Sequence, residues 1–291
     1  MESTPLIGDN THVSHTGSNV PSNNSTCSRK KTCLTQIFWG VIAAFTEIGS
    51  MIYAGAISCY NKRFKPFHHE GLNPKELSEK QAQNPAIVFL PGDNGDTTYL
   101  LPLMRKVHQA GLGTVFTVDP QYSDVNPEQH LKQLDAELEE IKKKFTAKAG
   151  AFRVVFIAHS KGASLAVNYA LNMLKDQPEK QKEICGLVAL SGRLKVVPAG
   201  CIRKCSLSIK PQIESAYKAL EENPDFLLRC IAGGKDWLVP RKAALVGGNA
   251  KHNHVVEGRS HTSVVYSCSE KVIEFTAEIL ALQKNLTLTH K

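Results

Sequence analysis

Three side chains in the order serine, aspartate, histidine have the types that could do chemistry together: Ser160, Asp236 and His261. A serine hydroxyl is a weak nucleophile until a base takes its proton, and an imidazole is well suited to that work. A carboxylate on the far side of the imidazole fixes its tautomer and steadies the cation that forms. Attack on an acyl carbon also builds an oxyanion, which backbone N–H groups must stabilise. Lys161, directly after the serine, and Asp93, in the turn Pro91-Gly92-Asp93-Asn94-Gly95-Asp96, are the positions suited to supply them. Gly92 and Gly95 would let backbone approach closely there. This chemistry calls for no cofactor and no metal. The run His68-His69-Glu70 has ligand-type residues, but adjacent side chains share neither a helix face nor a strand face.

These residues need elements to position them. Arg153-Val154-Val155-Phe156-Ile157-Ala158 reads as a short buried strand, and Ala163 to Ala170 continues with helical character. Ser160 sits at the turn between them, with small Ala158 two residues before and Gly162 two after. That is the spacing of a nucleophile elbow, a tight turn that exposes the serine. The plainer alternative is a serine capping an ordinary helix. Downstream, Phe226 to Ala232 reads as a strand, and Asp236 falls just beyond its end. Asn253 to Val256 reads as another strand, His261 comes after it, and an amphipathic run from Val264 to Gln283 closes the chain.

Upstream, Ala86 to Leu90 and Gly113 to Val118 are expected strands, and Cys185 to Leu190 is one more. Helices are expected over Thr98 to Ala110 and Asn126 to Lys144; the second has Leu131, Leu134, Leu138 and Ile141 on its apolar face. Strands alternating with helices predict an α/β domain over residues 85–285, with a mostly parallel sheet covered by helices on both faces. The mixed stretch from Ser191 to Phe226 leaves a strand's carboxyl end, where ligands bind in such sheets. It is either a small lid or a surface excursion.

The N-terminal third differs in kind. Residues 1–33 are polar and lack an apolar period, so disorder is expected. Residues 34–60 carry the longest apolar run in the chain, flanked by Arg29, Lys30 and Lys31 and by Lys62, Arg63 and Lys65. A membrane-associating or transmembrane helix is expected here; a cleaved signal peptide is not, since a long polar tail precedes the run. Glu47 is the single charge between Ile37 and Ser58. At mid-bilayer it would cost about 2.5–3.5 kcal/mol, which eight Ile, Phe and Val residues returning roughly 0.3–0.6 each would about balance. Gly40, Ala43, Glu47, Ser50 and Ala54 share one helix face, opposite the bulky residues. That stripe suits packing inside a membrane, an in-plane helix, or a helix buried on the soluble domain. Residues 61–84 read as a linker with a short helix from Pro74 to Gln83. Nothing assigned to the chemistry lies before Ala86, so the chain from about Asn61 onward is expected to fold and act by itself.

The net charge of +8 from 35 basic and 27 acidic residues points to an anionic neighbour. No zinc-finger spacing, aromatic RNA-binding signature or continuous basic helix points to nucleic acid. An anionic membrane surface fits better. The eight cysteines show no CxxC pair and are expected to be mostly reduced, although Cys201 and Cys205 are close enough to pair.

With these motifs in view, the chain over roughly residues 85–283 resembles the α/β-hydrolase superfamily, in particular its small bacterial lipases and esterases. Ala158-His159-Ser160-Lys161-Gly162 matches the Ala-His-Ser-x-Gly elbow of that group, and His261-Thr262-Ser263-Val264-Val265-Tyr266-Ser267 is similar to the segment that begins at its catalytic histidine. Three features depart from the pattern. Lys161 stands where an apolar residue is common, Pro91-Gly92 replaces His-Gly before the oxyanion turn, and the first two strands of the full fold are missing. The resemblance implies a minimal α/β-hydrolase fold and a serine hydrolase acting on a carboxylic ester, a lipid or other acyl ester first, held at a membrane. A thioesterase or amidase of the same fold is the enzymatic alternative, and a membrane-anchored interaction module with an idle triad is the non-enzymatic one.

Overall fold

In the computed structural model of the chain the described residues are 38, 41–42, 44–56, 59, 72–93, 96–120, 127–148, 150–194, 220, 222–223, 226–246 and 252–289. All but Phe38 fall in the compact unit Gly40–Lys291; Met1–Trp39 is a separate unit. The expected disordered tail, most of the expected lid and the basic flanks of the apolar run lie outside the described residues.

Six parallel strands form the frame: β1 (Ala86–Leu90), β2 (Thr114–Thr117), β3 (Val154–His159), β4 (Ile184–Leu190), β5 (Leu227–Gly233) and β6 (Asn253–Val256), in the spatial order β2-β1-β3-β4-β5-β6. β1, β3 and β4 are buried along their whole length. That explains why they read as unbroken apolar runs and not as alternating patterns. Side chains still alternate between faces. Val88, Leu90, Phe156 and Ala158 enter one core with Leu134, Leu138, Ala166 and Tyr169, whereas Ile87, Phe89, Val155 and Ile157 enter the other with Met104, Val107, Val265 and Phe275.

Helices supply both covers. An apolar helix covering residues 44–56 is α1. It is succeeded by α2 (Glu79–Ala82), α3 (Leu101–Gln109), α4 (Pro127–Thr146), α5 (Lys161–Asp176), α6 (Pro178–Gln181), α7 (Arg241–Ala244), α8 (Ser263–Ser267) and α9 (Ser269–Thr289). Three of these differ from the sequence expectation. The short helix expected from Pro74 to Gln83 is confined to α2, because Ser78 caps it and sets its start at Glu79. The helix expected from Thr98 opens as a 3₁₀ turn over Thr97–Leu100, and the α-helix begins at Leu101 with Pro102 in its first turn. That is where a missing N–H costs nothing. The closing amphipathic run is split at Cys268, next to Ser267, whose hydroxyl bonds back to the Ser263 carbonyl and loosens the helix end.

The stretch expected to be a linker is in part built into the domain. Leu72 and Leu77 are buried, the Asn73 N–H donates to Val115 O at 2.8 Å, and Ser78 with Gln81 forms a capping box on α2. From Leu72 onward the chain packs as part of the sheet's surroundings, because these two leucines have apolar cores to enter.

Strand order reverses between β1 and β3. The chain runs from β1 outward to β2, then returns to the other side of β1 as β3. The carboxyl ends of β1 and β3 are therefore neighbours, with Leu90 paired to Ala158. A crevice at such a switch point is where parallel sheets hold their ligands.

Candidate active site

Ser160 comes directly after β3 with φ 53° and ψ −119°, a conformation rarely taken by a residue with a side chain. It occupies the N-cap position of α5, but its hydroxyl makes no capping hydrogen bond. The plainer expectation of a helix-capping serine is thereby set aside. The hydroxyl instead lies 2.8 Å from His261 Nε2. The glycine two residues on has a steric cause: a Cβ at Gly162 would sit 2.3 Å from the Pro91 carbonyl and 2.9 Å from that of Leu90. The first turn of α5 is thus pressed against the end of β1.

His261 Nδ1 lies 2.8 Å from Asp236 Oδ2. A carboxylate only accepts, so Nδ1 carries the proton and Nε2 is left to accept from Ser160. The other oxygen of Asp236 accepts from the Leu238 and Val239 N–H groups at 3.0 and 2.8 Å, and the side chain is fully enclosed. This aims one oxygen at the imidazole. Two glycines allow the approach: a Cβ at Gly233 would meet the carbonyls of Arg259 and Ser260 at 2.6 and 2.8 Å, and one at Gly234 would meet Glu257. The end of β5 and the turn before His261 are in backbone contact. Ser160, Asp236 and His261 thus form one hydrogen-bonded line.

Asp93 stands in the turn after β1 and Lys161 is the first residue of α5. An N–H at the first residue of a helix points out of the helix end, since no intrahelical carbonyl precedes it. The Lys161 ammonium, on a side chain only 6% exposed, reaches Asp93 Oδ1 at 2.9 Å. The residue that departs from the apolar pattern therefore ties the β1 turn to the start of α5. Asp93 itself is exposed, so this pair does more for position than for stability.

Sequence reasoning missed Tyr99 and the role of His159. The Gly92 N–H donates to the Tyr99 hydroxyl at 2.8 Å, and that hydroxyl lies 2.8 Å from His159 Nδ1. His159 Nε2 is 3.1 Å from the His261 carbonyl, which can only accept, so Nε2 bears the proton and Nδ1 accepts from Tyr99. A directed chain results: Gly92 N–H to Tyr99 O–H to His159, and His159 N–H to the backbone of His261. It joins the β1 turn to the histidine turn behind the serine. Burial, with His261 beside it, pushes the His159 pKa down to about 3, so this imidazole stays neutral. Burial pushes the Tyr99 hydroxyl up, so it keeps its proton. His159 stood inside the elbow motif and could have been questioned from sequence. Tyr99 carried no signal.

Glu47 was singled out only as an anomaly in an apolar run. Here it is 1% exposed and accepts from the Thr262 N–H, at 3.2 Å (Oε1) and 3.0 Å (Oε2), and from the Thr262 hydroxyl at 2.7 Å. Thr262 is the residue after His261. Gly40 and Ala43 lie outside the described residues; of the rest of the face expected to pack, Glu47 is buried and Ser50 and Ala54 are half-buried, while Phe45, Ile48, Met51, Ile52 and Tyr53 are all more than 50% exposed. Among the described residues no helix is long and apolar enough to cross a membrane, and no cluster of side chains suited to hold a metal is found.

The fold carrying this arrangement recurs in solved structures. One of two fungal esterases from Rhizomucor miehei is 15% identical, with a TM-score of 0.50 over 76% of this chain and 83% of that one. The monoacylglycerol lipase of Paleococcus ferrophilus is 15% identical over 67% of this chain and 96% of its own, with a TM-score of 0.43. A soluble variant of the Saccharomyces cerevisiae monoglyceride lipase is 13% identical over 71% and 88%, with a TM-score of 0.46. At such identities the likeness shows the fold, and the chain has the α/β-hydrolase fold. No family model matches the chain, and no curated protein matches it in sequence.

Proposed function

We propose that the chain is a serine hydrolase that cleaves a carboxylic ester, with a lipid or another acyl ester as its substrate class. One observation carries this reading: the Ser160 hydroxyl, placed where it could cap α5, is held in a strained turn and faces His261 Nε2 at 2.8 Å instead. In the first step His261 takes the serine proton as Oγ attacks the ester carbon, and Asp236 steadies the imidazolium. The oxyanion draws on the backbone N–H groups of Asp93 and Lys161. Gly92, whose N–H is committed to Tyr99, is left to shape the turn. Collapse gives an acyl-serine and an alcohol that takes its proton from His261. Water, deprotonated by the same imidazole, then releases the acid and restores the serine.

The second part of the proposal is attachment to an anionic membrane surface through residues 34–60, with α1 in the plane of the interface. The bulky apolar side chains of α1 point away from the domain, and six basic residues flank the apolar run in sequence. Contiguous exposed apolar surface of this kind marks an interaction site, and the flanks suit acidic headgroups.

The test is fluorophosphonate labelling together with hydrolysis of an ester, a thioester and an amide sharing one acyl group. Wild-type protein should be labelled and should turn over the ester fastest. Ser160→Ala should lose both labelling and turnover while keeping its thermal unfolding. Labelling of the variant at the wild-type rate would assign the nucleophile elsewhere. Sedimentation with phosphatidylglycerol-containing vesicles that resists high salt supports apolar insertion; release by salt alone sinks it.

A further inference from the structure

The apolar helix and the histidine turn are far apart in sequence and are joined at one place. Thr46 and Ser50, which flank the seat, direct their hydroxyls back to carbonyls of their own helix at 2.8 Å each. Among the described residues of this face Glu47 is therefore the one seen to reach across with hydrogen bonds, and it takes both donors of Thr262. A second contact, Tyr53 edge-on to Tyr266 at 5.2 Å, lies nearly two turns further along α1, against α8. Fastening a helix to a domain does not call for a buried carboxylate; an apolar side chain would serve at lower desolvation cost. What a carboxylate adds is direction, because two oxygens fix a backbone N–H and a hydroxyl together.

The backbone it fixes carries the reacting base. The His261 carbonyl accepts from His159, the His261 ring is held by Asp236, and the next peptide N–H is held by Glu47. We propose that Glu47 is a positioning residue for His261, so that α1 is a structural part of the active site as well as a tether. Contrary to the expectation that the chain from Asn61 onward is self-sufficient, removal of the N-terminus would then strip the turn of a support it needs.

This inference rests on the serine-hydrolase reading, and labelling of the wild-type full chain at Ser160 settles that first. No labelling of wild-type protein removes the reading and the inference with it. Given labelling, kcat and KM are measured on p-nitrophenyl butyrate for full-length Glu47→Ala and Glu47→Gln, normalised to folded protein by near-ultraviolet circular dichroism. A misplaced catalytic group costs up to about a hundredfold. Glu47→Ala should accordingly lose about ten- to a hundredfold in kcat, with KM within about twofold and the labelling rate falling in parallel. Glu47→Gln retains one acceptor oxygen for Thr262 and should recover most of the loss. Wild-type kcat in Glu47→Ala, or a loss no greater than the loss of folded protein, overturns the inference. Where Glu47→Ala does not fold, Thr262→Val removes only the hydroxyl donor; a several-fold drop in kcat at unchanged KM supports the inference, and unchanged kcat overturns it.

Discussion

Ser160 and His261 meet at 2.8 Å, yet the chain holds them in opposite ways. The serine is fixed mainly by its neighbours in sequence: a buried strand ends, one residue takes φ 53°, and a helix begins next to a glycine that must lie against β1. The histidine is fixed by residues 25, 102 and 214 positions away, namely Asp236, His159 and Glu47, the last acting through Thr262. One side of the site is a local motif, and the other is assembled from distant parts. A local motif tolerates little change and fails with the fold. A side built from separate supports should fail in steps, with activity suffering before stability.

The largest effect tests the central support. Asp236→Asn should lower kcat by about 10³–10⁴ with unfolding little changed. Adding Ser160→Ala to it should cost almost nothing further, since such residues act as a unit. Additive losses in the double variant would mean that the three residues work separately.

Matched glycine substitutions sharpen the contrast next. Gly162→Ala drives a Cβ to 2.3 Å from the Pro91 carbonyl at the end of β1, which the sheet holds fast, whereas Gly233→Ala drives one to 2.6 Å from the Arg259 carbonyl in a turn. The first should cost about 3 kcal/mol or more of stability. The second should cost less in thermal unfolding but lower kcat by shifting the histidine turn. Equal costs in both measurements would erase the distinction between the two sides.

Tyr99→Phe addresses the link between them. It leaves the Gly92 N–H and His159 Nδ1 without their partner. Each unsatisfied group costs about 1–3 kcal/mol, and kcat should fall about tenfold because both turns loosen. Unchanged kinetics would confine Tyr99 to packing.

The remaining test bears on no catalytic rate and is read in the pH dependence of unfolding. The folded-state pKa of His159 is pushed down to about 3 from the ordinary 6.5, so between these values the unfolded chain binds a proton that the folded chain refuses. Stability therefore falls as pH drops from about 6.5 toward 3. Burial lowers His130 and His254 as well, in the same direction. His159→Gln should flatten the decline by up to one proton per molecule; an identical slope would show that His159 titrates freely.

The same local-versus-distant division decided what could be read from the sequence. β1, β3 and β4 were legible because doubly covered strands are continuous apolar runs. The turn at Ser160 was legible because an elbow needs its small residues at fixed offsets, and Asp236 and His261, picked out from their place after later strands, lie in one hydrogen-bonded line with it. Tyr99 was not, since one tyrosine in an apolar helix start has no distinguishing spacing. Glu47 was noticed but weighed as a cost to insertion; the hydrogen bonds that explain it are made to a residue 215 positions away, which no periodicity can report. The break at Cys268 was missed because the apolar period runs straight through it.

The separation between Glu47 and Thr262 also orders events in time. At about 5–20 residues per second of synthesis, Thr262 emerges roughly 10–40 s after Glu47. Throughout that interval α1 has no seat, its carboxylate has no donors from the histidine turn, and its apolar residues meet whatever surface is nearest. Docking of this helix through Glu47 therefore cannot precede synthesis of the histidine turn, however early the helix itself forms.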